Sequence, residues 1–179
     1  MRVRAGELGV STLAIPIERT RPEERVWTLL AAVPDPELPV LSIVDLGIVR
    51  QVEFVAGRLR VALTPTYAAC PATEVIRASV RAALDAGGYL NALIEEVLSP
   101  PWSSDWLSAQ GRRKLTAFGI APPQEPVAQV KRLWQAPSVA CPRCASRSTE
   151  RISEFGSTPC KAHYCCRQCG EPFDYFKCL

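Results

Sequence analysis

Histidine is almost absent from this sequence of 179 residues, which contains only His163. A diiron subunit of the helical type requires two Glu-x-x-His motifs, and the residue three positions before this histidine is Cys160. A catalytic serine, histidine and aspartate set is equally hard to build, because the one histidine lies inside a cysteine-rich segment. The sequence therefore excludes these two kinds of reaction centre, and we expect His163 to be a surface residue of that segment.

Other signatures of known sites are missing as well. No Gly-x-Gly-x-x-Gly follows a predicted strand and no P-loop is present, which argues against nucleotide and dinucleotide cofactors. No apolar run approaches the roughly 20 residues needed to cross a bilayer, and the first residues lack the apolar stretch of a signal peptide. We therefore expect no membrane association and a cytoplasmic location.

Positive charge is not concentrated anywhere in the chain. The formal net charge is +3, and the cysteine-rich residues 138–179 carry six basic against four acidic side chains. A nucleic-acid-binding module needs a strongly basic face, so nucleic acid is not an expected partner. The overall composition, 47% hydrophobic and 22% charged, is that of a globular protein.

Residues 1–19 show no periodicity and are predicted to form a flexible arm. A helix is expected to begin at Thr20 with a capping box to Glu23 and to end before Pro34. A proline-punctuated loop follows and carries Asp35 and Glu37. Two alternating segments, 47–55 and 58–63, then predict a hairpin that turns at 56–57.

The next segments complete one α+β domain over residues 20–118. Pro71 suits the first position of a helix that Gly87 and Gly88 end, and residues 92–98 suit a third strand. The predicted order is α-β-β-α-β, followed by a short helix from Ser103 or Ser104 to Phe118. Residues 119–137 are proline-rich and are predicted to be a linker.

Seven of the eight cysteines lie in residues 141–179, including two Cys-x-x-Cys pairs. This spacing predicts a β-type zinc ribbon over residues 138–179, in which four thiolates hold one tetrahedral ion. Zinc is favoured, although thiolates also suit iron or a transient cluster. About 40 residues bury too little apolar surface to fold alone, so the metal is expected to be structural. The predicted ligands are Cys141, Cys144, Cys166 and Cys169.

Three cysteines of this segment are left without a role: Cys160, Cys165 and Cys178. Adjacent strand residues point in opposite directions, so only one of Cys165 and Cys166 is expected to face the metal. Cys166 is favoured because it gives the two-residue spacing.

Cys70 stands apart from the other cysteines, directly before a predicted helix. A helix N-terminus lowers the pKa of a thiol, so Cys70 is a candidate metal, cluster or redox thiol; the alternative is a small residue that caps the helix. The hydroxyls of Thr64 and Thr66 are expected nearby. Three carboxylates, Asp35, Glu37 and Asp45, are further candidates, and their alternative role is in turns and caps.

Two groups of residues resemble known families. The first resembles the small domain of iron–sulfur assembly factors, including SufT-like proteins, and comprises Asp35-Pro36-Glu37-x-Pro39-Val40-x-Ser42-Ile43-Val44-Asp45-Leu46-Gly47-Ile48-Val49 and Leu63-Thr64-Pro65-Thr66-Tyr67-x-x-Cys70-Pro71-Ala72. The second resembles the D-subunit family of the phenylacetyl-CoA epoxidase (ring 1,2-epoxidase) complex and comprises Cys141-Pro142-Arg143-Cys144, Ile152-Ser153-Glu154-Phe155-Gly156-Ser157-Thr158-Pro159-Cys160-Lys161-Ala162 and Pro172-Phe173-Asp174-Tyr175-Phe176-Lys177-Cys178.

The resemblance implies a non-catalytic accessory protein of aerobic phenylacetate degradation. It would mature or repair the iron–sulfur or diiron centres of the multicomponent epoxidase, with the oxygenase or the iron–sulfur reductase subunits as partners. Cys70 matches the family's candidate functional cysteine, whereas Cys165 falls where relatives are expected to have another residue. The alternative hypothesis is a permanent structural subunit of the epoxidase. The sequence leaves open a homodimer and which subunit is the client.

Overall fold

The computed structural model describes residues 21–67, 70–123 and 139–177. The first unit contains two helices and a three-stranded sheet, followed by a third helix. These elements are α1 (Pro22–Ala31), β1 (Val49–Val55), β2 (Arg58–Leu63), α2 (Ala72–Ala86), β3 (Leu93–Glu96) and α3 (Ala109–Ala117). Within the described residues, no helix has the length and apolarity needed to cross a membrane.

The sheet has the order β1-β2-β3. The hairpin of β1 and β2 closes with Val55 opposite Arg58, and both turn residues, Ala56 and Gly57, have positive φ angles, of 49° and 79°. Such a pair is typical of a two-residue turn that matches the twist of the strands. Strand β3 pairs in parallel with β2 after the α2 crossover. The predicted α-β-β-α-β fold is therefore confirmed.

One face of each long helix is buried on the sheet. In α2, Ile76, Val80 and Leu84 recur at helical spacing and are at most 5% exposed. In α1, Val26 and Leu30 are fully buried. Removing a side chain of this size from water stabilises the fold by about 1.5–3 kcal/mol, so these helix faces fix the sheet beneath the loops that carry Asp35 and Cys70.

Helix boundaries differ slightly from the prediction. Helix α1 begins at Pro22, where the amide of Arg21 donates to the Glu24 carboxylate at 3.2 Å; Thr20 lies outside the described residues. Helix α2 begins at Ala72, because Pro71 is its N-cap residue rather than its first helical residue.

The single helix expected over residues 103–118 is wrong. A short 3-10 turn, Ser104–Trp106, follows Ser103, and the chain becomes extended at Leu107 before α3 begins. The hydroxyl of Ser108 accepts a hydrogen bond from the amide of Gly111 at 2.8 Å. Serine is a preferred N-cap, so Ser108 starts a new helix instead of continuing the old one.

The second unit is a four-stranded sheet with the order β4-β7-β6-β5. Its strands are β4 (Ile120–Ala121), β5 (Thr149–Ser153), β6 (Lys161–Cys166) and β7 (Pro172–Phe176). Ile120 and Ala121 were expected in the linker but pair in parallel with β7, which satisfies their backbone groups. Strand β6 was not predicted. The expected arm, 1–19, and most of the linker lie outside the described residues.

The two units share one apolar core. Phe176 and Cys160 of the second unit are 1% and 5% exposed and belong to the same buried cluster as Leu46 and Ile76 of the first. The Trp102 indole nitrogen donates to the Leu46 carbonyl at 2.9 Å, which holds the ring at this junction. The second unit is therefore docked on the first, and the docking surface forms part of the site described next.

Candidate functional site

The four predicted ligand cysteines converge in the second unit. The sulfur atoms of Cys141, Cys144, Cys166 and Cys169 all lie within 4.8 Å of one another. The Cys141–Cys169 and Cys144–Cys166 sulfur separations are 3.8 and 3.6 Å. A tetrahedral ion with Zn–S bonds of about 2.3 Å needs sulfur separations of about 3.8 Å. The thiols therefore fit zinc without rearrangement.

The two Cys-x-x-Cys turns have the same backbone geometry. The amide of Ala145 donates to the Cys141 carbonyl, and the amide of Gly170 donates to the Cys166 carbonyl, both at 2.8 Å. Ala145 and Gly170 both have positive φ angles, of 61° and 74°. This conformation turns backbone amides toward sulfur.

Backbone amides of the second Cys-x-x-Cys turn favour the thiolate form of Cys166. Burial acts to raise the pKa of this thiol, but hydrogen bonds from the amides of Cys169 and Gln168 and from neighbouring thiols outweigh it and lower the pKa to about 7. A thiolate is the form that binds a metal ion. Cys169 differs, because the Glu171 amide acts to lower its pKa, but burial and hydrogen bonds to neighbouring ribbon thiols outweigh that amide and raise the pKa to about 12.

The remaining residues of this unit stand clear of the sulfur cluster. Cys165 is half-buried, and its sulfur lies 3.8 Å from the Gly170 carbonyl. His163 is 42% exposed at its side chain and lies 3.3 Å from the Asp174 carboxylate. Cys178 lies outside the described residues. Strand alternation thus separates Cys165 from Cys166, as the sequence predicts.

A second candidate site is a cavity at the junction of the two units. Its volume is about 30 Å³, enough for a water molecule or an ion. Most of its wall is apolar, and the lining residues with ligand or hydrogen-bonding atoms include Asp35, Glu37, Thr66, Cys70 and Cys160. The other polar residues of the wall are Thr73, Arg77, Glu95 and Glu96. Of the first five, four were predicted site residues, and the structure places them around one space.

The proline-rich loop lies at one side of the cavity, where backbone amides bind the carboxylate of Asp35. A carboxylate oxygen of Asp35 accepts hydrogen bonds from the amides of Glu37 and Leu38 at 3.0 and 2.8 Å. Burial raises the pKa of Asp35, although these amides oppose the effect. Burial and the neighbouring Asp35 charge raise the pKa of Glu37. The ionised forms of Asp35 and Glu37 are therefore disfavoured in this cavity, and a nearby positive charge would stabilise them.

Cys70 lines the same cavity as the loop. It is half-buried, and its carbonyl accepts a hydrogen bond from the Thr73 amide at 3.2 Å. Within the described residues, no side chain caps helix α2. The alternative that the Cys70 side chain is a helix cap is thus not what the structure shows.

Tyr67 adds a buried polar group beside Cys70. Its hydroxyl is buried and finds no hydrogen-bond partner among the described residues. Burial first, and then the nearby Cys70, Glu37 and Cys160, raise the pKa of this phenol to about 12. The hydroxyl therefore lies within electrostatic range of two thiols and one carboxylate.

Two predicted site residues do not reach the cavity. The carboxylate of Asp45 accepts from the Ser42 and Ser108 hydroxyls, both at 3.0 Å, and from the Lys114 ammonium at 2.6 Å. It therefore anchors α3. The Thr64 hydroxyl donates to the Val97 carbonyl at 2.8 Å and ties β2 to the segment after β3. Both are buried structural groups.

Sequence reasoning missed Cys160 as a member of the cavity. It lies immediately before β6, and the amide of Lys177 donates to its carbonyl at 2.9 Å. The sulfur lies 3.0 Å from the Thr158 hydroxyl. Burial raises the pKa of this thiol, and the Thr158 hydroxyl partly opposes that effect. Only the docking of the second unit brings it to the cavity that Cys70 also lines.

The fold and the two sites define a two-part protein, an α+β iron–sulfur assembly domain joined to a zinc ribbon. Family models agree: an iron–sulfur cluster assembly protein model matches residues 23–88, and a PaaD zinc beta ribbon model matches residues 125–177. A protein of Escherichia coli (strain K12), provisionally named as the D component of 1,2-phenylacetyl-CoA epoxidase, is 46% identical over 86% of this chain and 92% of its own length. The chain belongs to this D-subunit family.

Two further relatives cover the first unit alone. An Fe-S protein maturation auxiliary factor of Porphyromonas gingivalis is 33% identical over 52% of this chain and 90% of its own. A crystal structure of a domain of unknown function, DUF59, from Bacillus anthracis is 30% identical over 52% of this chain and 90% of its own, with a TM-score of 0.48.

Proposed function

We propose that this protein is an accessory factor that matures or repairs the iron–sulfur or diiron centres of phenylacetyl-CoA epoxidase in aerobic phenylacetate degradation. The observation that carries the proposal is the position of Cys70, which lines a cavity at the junction of the two units together with the carboxyl residues Asp35 and Glu37. Thiolates and carboxylates are ligands that iron accepts. The relatives support the same role, because one is named as an epoxidase component and another as a maturation factor.

The zinc ribbon has a separate, structural role in this proposal. Its four thiols are already close together, as a tetrahedral ion requires. The ribbon also has a small buried core that includes Tyr164, Phe173 and Tyr175. When bound, the metal would hold the two turns together and supply folding free energy. The protein then acts as a non-catalytic partner of the oxygenase or reductase subunits, and a cytoplasmic location stays a prediction.

A permanent structural role in the epoxidase is the second candidate, and one observation favours it. Ile152 on the edge strand β5 and Phe155 just beyond it are 60% and 62% exposed. Exposed apolar side chains at a sheet edge suit contact with another chain. A permanent subunit would co-purify with the active epoxidase in fixed stoichiometry, whereas a maturation factor would be absent from it.

Growth of a deletion strain on phenylacetate tests the proposal. Cys70→Ser is expected to fail to restore growth, although the variant folds and keeps its zinc. Cys165→Ser, which alters a thiol outside both sites, is the matched control and is expected to restore growth. Wild-type growth with Cys70→Ser would overturn the role of this thiol.

A further inference from the structure

Cys160 lines the same cavity as Cys70 because of the way the zinc ribbon docks. Strand β6 starts at the next residue, and Lys161 pairs with Phe176 across the ribbon sheet. Phe176 is inserted against Trp102, so the end of this hairpin is fixed on the first unit. Cys160 is 5% exposed, and the space it faces is the cavity that Cys70 also lines.

The groups around this cavity are the kind that bind a cation. Its lining includes two thiols and four carboxyl groups, those of Asp35, Glu37, Glu95 and Glu96. The buried phenol of Tyr67 lies within electrostatic range of both thiols and of Glu37. The cationic groups near it are Lys161, whose ammonium lies 3.6 Å from the Asp174 carboxylate, and Arg77 in the wall. Burial raises the pKa of Asp35, Glu37 and Cys160, and the charge of Lys161 opposes that rise. Lys161 therefore acts on the cavity as well as on Asp174.

We propose that Cys160 is the second thiol ligand of a transient ferrous iron site that also uses Cys70 and the carboxylates of Asp35 and Glu37. This inference rests on the proposed function and names the ion and the ligands of that site. Binding replaces two thiol protons by iron: the two S–H bonds break, two Fe–S bonds form, and two protons leave to solvent. No oxidation is involved.

The structure also indicates that such binding is exchangeable. Among the described residues, only the ribbon thiols form a group of three or more ligand atoms that all lie within 4.8 Å of one another. The cavity groups are therefore more widely spaced and have to move together around an ion. A site that must rearrange binds more weakly than a preformed one. Weak binding suits an ion that is passed on, and tight binding suits the structural zinc.

Ferrous iron, added without oxygen to the zinc-loaded full chain, tests this inference. We expect about one ferrous ion per wild-type chain, with thiolate-to-iron absorption bands. Cys160→Ser and Cys70→Ser should each weaken iron binding by at least about tenfold, a loss that even the removal of a ligand's hydrogen-bond partner can cause. Cys165→Ser is the matched control and should bind as the wild type does. The zinc content of each variant verifies its fold.

The outcomes separate the two proposals. Normal iron binding by Cys160→Ser, together with its loss in Cys70→Ser, would overturn this inference and leave the proposed function standing. Normal binding by both variants would overturn this inference and remove the support that Cys70 gives the proposed function. X-ray absorption at the iron edge of the wild-type protein needs no variant and does not detect zinc. It should show two sulfur neighbours, and fewer than two would overturn the assignment.

Discussion

The ring of Trp102 meets the ring of Phe176 edge-on, with centroids 6.1 Å apart and planes inclined at 71°. Trp102 follows β3 in the assembly domain, and Phe176 is the last residue of β7 in the ribbon. Edge-to-face aromatic pairs contribute about 0.5–1.5 kcal/mol beyond the apolar area they bury. This contact therefore couples the stability of the ribbon to the side of the domain that carries Cys70.

Phe176→Ala should loosen the junction. Because the side chain is 1% exposed, its loss should lower the free energy of unfolding by about 3–5 kcal/mol. The control Phe155→Ala changes a ring that is 62% exposed and should cost less than about 1 kcal/mol. Urea unfolding followed by circular dichroism checks both values. Equal stability of the two variants would contradict a buried junction.

The metal is expected to be one zinc ion per chain. Cys144→Ser or Cys169→Ser should release it and unfold the ribbon, because each removes one of four ligands. Hydrogen exchange should then increase in β5, β6 and β7, while β1, β2 and β3 stay protected. Cys165→Ser should keep the zinc. Elemental analysis that finds neither zinc nor iron in freshly purified wild-type protein would contradict this prediction.

A reciprocal pair of substitutions tests the two ribbon turns. Ala145 has a φ of 61°, a conformation that costs a residue with a Cβ atom about 1–2 kcal/mol, so Ala145→Gly should stabilise the protein by about 0.5–1 kcal/mol after the entropy of glycine is deducted. Gly170→Ala should destabilise it by about 1 kcal/mol, although a new Cβ meets no atom within 4 Å. Urea midpoints and zinc-release rates check both. Shifts of the same sign would contradict the shared turn geometry.

Asp35 and Asp45 should affect stability with opposite dependence on pH. Burial acts to raise the pKa of Asp45, but hydrogen bonds from Lys114, Ser42 and Ser108 lower it below the ordinary 3.8. The stabilisation from its charge is thus present above pH 3.8 and is lost as the pH falls through the folded pKa. Asp45→Asn should cost about 2 kcal/mol at pH 7, and this cost should shrink below pH 3.8.

The pKa of Asp35 is raised by burial, so its charge costs stability once the pH rises through that raised value. Asp35→Asn keeps an oxygen acceptor for the Glu37 and Leu38 amides and should be neutral or stabilising at pH 7. Each variant is compared with the wild type at the same pH by urea unfolding. Equal destabilisation by the two variants at pH 7 would contradict the assigned environments.

Local sequence signals were sufficient for much of the fold. The turn at Ala56 and Gly57, the buried positions of α2 and the paired cysteine spacing each depend on neighbouring residues, and each was predicted. The break at Leu107 was missed because Ser103, Ser104 and Ser108 are all acceptable caps, and tertiary packing selects among them.

The candidate site was predictable only in part. Asp45 lies in a motif beside Asp35, yet its partner Lys114 is 69 residues away, so its structural role depends on the docking of α3. Cys160 had no local signal at all, because its place beside the cavity follows from β6 and β7 pairing and from the insertion of Phe176. Contacts of this range cannot be read from periodicity or spacing.

The most direct test of the maturation role is the iron content of phenylacetyl-CoA epoxidase purified from three strains, which carry the wild-type protein, a deletion, or Cys70→Ser. We predict full iron content with the wild-type protein and an equal shortfall in the other two strains, with this protein absent from the purified epoxidase. The same iron content in all three strains would contradict the central claim.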